Sequence, residues 1–94
     1  MKSYANITSR VVRILGHPNS GWSAADLDDD NALELAFRFE ITDDGHQGFL
    51  LVYQSLDGRY AADSWHGTLD EALALVEASF GIAPSEWAMQ DPSL

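Results

Sequence analysis

The chain has 94 residues, a formal net charge of −10 at pH 7 and no cysteine. This length fits one domain, residues 1–94, that buries about 60–65% of its unfolded surface, so a deep substrate cleft is not expected. The composition excludes disulfides and thiolate metal sites, and no apolar run reaches the roughly 18–20 residues that span a bilayer, so we expect a cytoplasmic protein.

Residues 3–15 carry two conflicting signals. Their β-branched side chains favour a strand. Their apolar side chains instead recur at the spacing of one helical face. The residues with this spacing are Tyr4, Ile7, Val11, Ile14 and Leu15. Because Gly16 and Pro18 then supply a helix stop, we predict a helix over Ser3–Leu15.

Residues 17–31 have no clear periodicity, and we predict a loop that Trp22 anchors to the rest of the domain. The acidic run Asp26–Asp30 places carboxylates at the first, third and fifth positions of a calcium-binding loop pattern. The sixth position is Asn31 instead of glycine, and the twelfth is Phe37, where the pattern needs a bidentate glutamate. We therefore predict a solvated acidic loop and no metal site.

Three strands are predicted for the middle of the chain. Apolar and polar side chains alternate over residues 33–42, which is the period of a strand with one buried face. The dipeptides Asp44-Gly45 and Asp57-Gly58 favour tight hairpin turns, and they place two further strands at 48–55 and 59–65. The three strands then form an antiparallel meander.

A second helix is defined by its two ends. Thr68 is a typical N-cap, and Glu71 three residues later completes a capping box. Gly81 supplies the C-terminal stop. The overall prediction is an α+β fold in which two helices cover one face of a three-stranded antiparallel meander, in the order α-β-β-β-α.

The two predicted turns fix which side chains share each face of the meander. The first turn pairs Arg38 with Leu51, and the second pairs Tyr53 with Ala62. If both helices cover the other face, this face is left open as a rimmed apolar patch, a feature that marks interaction sites. The predicted partner-binding residues on the open face are Phe49, Leu51, Tyr53 and Tyr60.

Three interpretations of this open face remain. In the first, Tyr53 and Tyr60 form an ordinary cross-strand pair, and the preceding loop with its Trp22 covers Phe49 and Leu51. In the second, two copies of the chain form a homodimer through the face. In the third, the face binds a different protein.

The charge is unevenly distributed along the chain. Residues 1–25 contain Lys2, Arg10 and Arg13 and no acid, whereas residues 26–94 contain all fifteen carboxylates. Such a field repels nucleic-acid phosphates and anionic membranes, and it attracts a basic partner. We therefore predict a protein partner or a second copy of the chain, with no binding to nucleic acid or to a membrane. The favoured interpretation of the charge itself is solubility alone.

The sequence contains no recognisable catalytic motif. Ser64 and Ser79 lack the setting of a nucleophile, and there is no phosphate-binding glycine loop. We predict a non-catalytic protein-interaction or regulatory module without a cofactor. The alternative is a module that binds a small molecule or a divalent cation through His66, Trp65 and the Asp26–Asp30 loop, although a local hydrogen bond is the favoured role for His66.

The last third of the chain contains four local motifs: Trp65-His66, Glu71-Ala72, Phe80-Gly81 and a terminal Trp87. In this pattern it resembles small uncharacterised bacterial proteins, which implies a bacterial cytoplasmic protein of unassigned role and brings no catalytic residues. The predicted element order is also similar to the double-stranded-RNA-binding domain. That likeness is of fold alone, because Thr68, Asp70 and Glu71 stand where a phosphate binder presents lysines.

Overall fold

A computed structural model of the protein describes residues 3–17, 21–25, 28–43 and 48–89. These residues form six strands, one helix and a 3₁₀ turn at Pro84–Glu86. The strands and the helix are β1 (Ser3–His17), β2 (Gly21–Ala24), β3 (Leu33–Asp43), β4 (Phe49–Ser55), β5 (Ala61–His66), α1 (Leu69–Phe80) and β6 (Ala88–Met89). All pairings are antiparallel in the order β2-β1-β3-β4-β5, and β6 pairs with β1. The prediction of three strands covered by two helices is therefore wrong.

β1 is a long strand where the sequence predicts a helix, and a bulge explains the misleading pattern. Between Ile7, which pairs with Phe39, and Arg10, which pairs with Phe37, β1 contains one residue more than β3. Such a bulge reverses the inside–outside alternation of the strand. The buried residues of β1 are Ala5, Ile7, Val12 and Ile14. The change of phase leaves Ile7 and Ile14 buried seven residues apart, the spacing of two helical turns, but Val11, on the predicted apolar face of that helix, is 52% exposed.

The predicted loop at residues 17–31 contains a strand. β2 pairs with the end of β1, in a register that places Gly16 opposite Trp22. Gly16 has a φ of +111°, and a Cβ there would overlap the Gly21 carbonyl oxygen, so only glycine fits. Trp22 anchors the segment as predicted, because its ring packs against Phe37 and Tyr60 at centroid distances of 5.5 and 5.4 Å.

The three predicted middle strands and the predicted second helix are confirmed, with strand ends within two residues. Thr68 Oγ1 accepts a hydrogen bond from the Glu71 N–H at 3.1 Å. The Glu71 carboxylate accepts the Gly67 N–H at 3.2 Å, one residue before the donor that a capping box uses. Gly81 ends α1 with a φ of 72°. No helix within the described ranges combines the length and the apolar character needed to cross a membrane.

The register of the first hairpin differs from the prediction, and the difference exchanges the two faces of β4. The two-residue turn pairs Arg38 with Leu51, whereas the structure pairs Arg38 with Gln54. The predicted turn dipeptide, Asp44-Gly45, lies outside the described residues. The pairing of Asp43 with Phe49 leaves residues 44–48 as the connection, an odd number of residues where the predicted turn has two. The register therefore differs from the predicted one by an odd number of residues, and such a shift moves every side chain of a strand to the other face.

A single core lies between the sheet and α1. β3 contributes Phe37 and Phe39, which are 0% and 1% exposed. The Phe80 ring at the end of α1 packs against both, at centroid distances of 6.3 and 5.5 Å. Trp87, which follows the 3₁₀ turn, is buried and meets Phe39 edge to face at 6.0 Å. The helix therefore covers one face of the sheet, and the other face carries the surface described next.

Candidate protein-binding surface

The four predicted binding residues lie on the core side of the sheet. Leu51 is 0% and Tyr60 3% exposed, so neither can form part of an open apolar face. Phe49 is half-buried and packs edge to face on Tyr4, with ring centroids 5.2 Å apart. The expectation that these residues form an open patch is wrong, because the first hairpin has the other register.

Tyr53 is enclosed by other aromatic rings. It stacks on Phe39 at 5.7 Å and meets Trp22 and Phe80 edge to face at 6.0 and 5.5 Å. Burial raises the pKa of the Tyr53 hydroxyl, and the Asp63 carboxylate raises this pKa further. Trp22 therefore packs on Tyr53, whereas the first of the three interpretations has Trp22 cover Phe49 and Leu51; the Phe49 ring packs on Tyr4 instead.

No element of the described part of the chain packs on the opposite face of β3, β4 and β5, here named the outer face. The cross-strand pairs define it: Glu40 and Asp63 both pair with Val52, and Leu50 pairs with Trp65. Its side chains point away from α1 because they alternate with the core residues along each strand. The outer face consists of Arg38, Glu40, Thr42, Leu50, Val52, Gln54, Ala61, Asp63 and Trp65.

Trp65 is the largest exposed apolar side chain of the outer face. It is 60% exposed although it lies within a regular strand. Its indole lies across Gly48, and a Cβ on Gly48 would overlap the indole ring. Leu50, which is half-buried, is its cross-strand neighbour on the same face. The indole thus lies against Gly48 on the outer face, with most of its surface exposed.

A groove of about 310 Å³ runs along the outer face beside β1. It borders the bulge of β1, where Thr8 lies between the shifted pairs. Arg38 Nη2 donates a hydrogen bond to Gln54 Oε1 at 2.8 Å, and no described carboxylate pairs with this guanidinium. Glu40 is exposed on the same strand. The groove therefore offers one cation and one anion among neutral amides, at the low end of the volumes that bind small molecules.

β5 forms one edge of the sheet in the described part of the chain. Ser55 N–H donates to the Tyr60 carbonyl at 2.8 Å, which makes this pair the narrow, hydrogen-bonded type. Hydrogen-bonded and non-hydrogen-bonded pairs alternate along an antiparallel ladder. The N–H and C=O groups of Ala62 therefore point towards β4, and those of Ala61 and Asp63 point towards the open edge. Both Ala61 and Asp63 are exposed.

Acidic side chains surround this edge. Asp63 lies at its centre, and Asp70 and Glu71 are exposed in the first turn of α1, which follows β5 directly. At the other end of β5, Asp57 accepts hydrogen bonds from the Ser55 hydroxyl at 2.6 Å and from the Arg59 N–H at 3.0 Å. These contacts, led by the Ser55 hydroxyl, lower the pKa of the Asp57 carboxyl.

Two members of the alternative site, His66 and Trp65, do not face each other. His66 and Trp65 are successive residues of β5 and therefore point to opposite faces of the sheet. His66 forms the expected local contact, with Nε2 at 2.7 Å from Ser64 Oγ. Asp26 lies outside the described residues, and within the described ones no group of three His, Asp or Glu side chains could hold a metal ion.

A second cavity, of about 370 Å³, lies between β1 and the end of α1. Its two cations already have partners. Arg10 Nε lies 3.0 Å from Glu86 Oε1, and Arg13 Nη1 lies 3.1 Å from Glu34 Oε1. The backbone N–H of Ala83, followed by Arg10, lowers the pKa of the Glu86 carboxyl. Beside this cavity, the Arg10–Glu86 ion pair joins the 3₁₀ turn to β1.

Comparison of the chain with protein-family models, with curated proteins and with solved structures finds no match. In the predicted register, Leu50 and Val52 fall on the face that the two helices cover, so the outer face was missed. The signal that could have found it is the length of the connection between β3 and β4, which sets the phase of both residues.

Proposed function

We propose that this chain is a non-catalytic, cytoplasmic protein-binding module whose outer face docks onto a basic protein. The observation that carries the proposal is the indole of Trp65, 60% exposed and fixed on a strand of the outer face. Tryptophan is among the residues that most often dominate binding energy in protein interfaces. It loses little conformational entropy on binding when its strand and its neighbours already fix its position.

The chemistry of the partner follows from charge. The net charge is −10, and the outer face carries Glu40 and Asp63 against the single cation Arg38. Complementary potentials accelerate encounter and disfavour partners of like charge. A lysine or arginine of the partner can also stack on the Trp65 ring as a cation–π contact. A basic surface with exposed side-chain stems therefore fits this face better than a second copy of the same acidic chain.

Affinity capture with matched variants tests the proposal. The wild-type chain, Trp65→Ala and Leu75→Ala are used as baits in the native host. Leu75 is the control, because it is an exposed apolar residue, 36% accessible, on the helix that covers the other face. We expect a basic protein to be recovered with wild type and with Leu75→Ala, and recovery to fall at least about tenfold with Trp65→Ala.

Equal recovery of the same protein by all three baits would place binding elsewhere and reject the outer face. Analytical ultracentrifugation of the purified chain distinguishes a homodimer from binding to a different protein. A wild-type dimer that Trp65→Ala converts to monomer would show that the face binds its own copy, and the basic-partner proposal would then fail.

A further inference from the structure

Within the described residues, the edge of β5 has few of the features that natural sheets use to prevent strand pairing. Such features are charged side chains, above all lysines, and also prolines, bulges and covering segments. β5, with the sequence Ala61-Ala62-Asp63-Ser64-Trp65-His66, contains neither proline nor lysine, and its register with β4 is continuous. The main-chain groups of Ala61 and Asp63 point away from β4. Asp63 is thus the one charged side chain on this edge.

We propose that an extended, basic segment of the partner adds to the sheet as a strand alongside β5. The inference deepens the proposed function and rests on it. Main-chain hydrogen bonds to Ala61 and Asp63 would supply affinity, as in other complexes formed by strand addition. Side chains at alternate positions of the added strand then lie over the outer face and extend its row of exposed side chains.

Charge determines which strand fits. The outer-face side chains of β5 are Ala61, Asp63 and Trp65, so the added strand places one residue opposite the Asp63 carboxylate. Opposite charges in that position stabilise a cross-strand pair, and a lysine or arginine one place along reaches the Trp65 ring. Asp70 and Glu71, at the start of α1, extend the acidic surface beyond the end of β5. The expected segment therefore alternates basic residues with small or apolar ones.

A second copy of the chain fits the same edge poorly. Antiparallel pairing of two β5 strands about their centre brings the two Asp63 carboxylates close together, and like charges in directly opposed positions are destabilising. Each copy also carries a net charge of −10. A basic segment of a different protein has neither the opposed carboxylates nor the like net charge.

A titration followed by NMR tests the strand addition. The probe is an acetylated seven-residue peptide in which lysine alternates with valine, and the control peptide has glutamate in place of lysine. We expect the lysine peptide to shift the Trp65 indole resonance and to slow hydrogen exchange of the Ala61 and Asp63 amides. The glutamate peptide should do neither. Because this measurement uses the wild-type chain, it does not depend on any variant folding.

Two variants separate main-chain pairing from simple charge attraction. Asp63→Asn removes the carboxylate and keeps the N–H, and we expect it to weaken peptide binding about threefold. Asp63→Pro removes the N–H as well, at an edge position where the sheet itself loses no hydrogen bond, and we expect at least about tenfold weaker binding. Circular dichroism checks that both variants keep the fold.

The outcomes distinguish this inference from the proposed function. Equal weakening by both variants, or indole shifts without slower exchange at Ala61 and Asp63, would leave the outer face as a docking surface and reject strand addition. Protection of both amides that rises with protein concentration in the absence of peptide would assign the edge to a second copy and also reject it. No response of Trp65 or of β5 to the lysine peptide would overturn strand addition by basic segments, while capture with the three baits still decides the proposed function.

Discussion

The assignment of the two sheet faces can be tested by two adjacent leucines of β4. Leu51 is 0% exposed and belongs to the buried cluster beneath α1, whereas Leu50 is half-buried on the outer face. Truncation of a fully buried leucine to alanine typically costs about 2–5 kcal/mol, because the lost apolar contact is joined by a cavity. Leu50→Ala should cost about 1 kcal/mol, in proportion to its partial burial.

Both variants are compared with wild type by urea unfolding followed by far-ultraviolet circular dichroism. A domain of 94 residues has a free energy of unfolding of about 5–14 kcal/mol, so the loss expected from Leu51→Ala is a large fraction of the total and should shift the midpoint clearly. The denaturant slope should stay unchanged if both variants keep the fold. A loss from Leu50→Ala that equals or exceeds the loss from Leu51→Ala would show that the faces are exchanged and would refute the description of the outer face.

Three further predictions concern the turn and the indole. Ser55→Ala should lower the free energy of unfolding by about 1–3 kcal/mol in urea titrations, because the buried Tyr60 N–H loses its acceptor, the Ser55 Oγ at 3.0 Å. The lowered pKa of Asp57 means that the folded state binds protons less readily, so its stabilisation is present above the ordinary value of about 3.9 and is lost as the pH falls through the folded pKa. Asp57→Asn should therefore flatten the acid limb of stability against pH, and an unchanged slope would contradict this. Gly48→Ala should displace the Trp65 ring, shift its indole resonance and weaken partner capture as Trp65→Ala does, at a stability loss of about 1 kcal/mol; an unmoved resonance would disprove the contact.

Local signals predicted the helix and the second hairpin correctly. Thr68 and Gly81 act within one turn of α1, so their effect does not depend on the rest of the fold. The second hairpin has the predicted pairing of Tyr53 with Ala62, because Asp57 and Gly58 complete the turn through hydrogen bonds within it. Where the residues that determine an element are adjacent in the chain, the sequence is sufficient to predict that element.

Long-range register could not be predicted in the same way. The bulge near Thr8 in β1 converts a strand alternation into a helix-like spacing, and only pairing with β3 reveals it. The connection between Asp43 and Phe49 allows more than one hairpin register, and the choice between odd and even lengths decides which face carries Leu51. That register decides which residues form the candidate binding surface. Trp65 was named from the sequence only as part of the alternative small-molecule or cation site.

Photo-crosslinking from single positions tests the central claim most directly. A photoreactive phenylalanine analogue is placed at Ala61, on the exposed edge of the outer face, or at Leu75, on the exposed side of α1. We expect a cross-link to a basic protein from position 61, lost when Trp65→Ala is added, and no such product from position 75. A cross-link to the same protein from position 75, with none from position 61, would contradict the account.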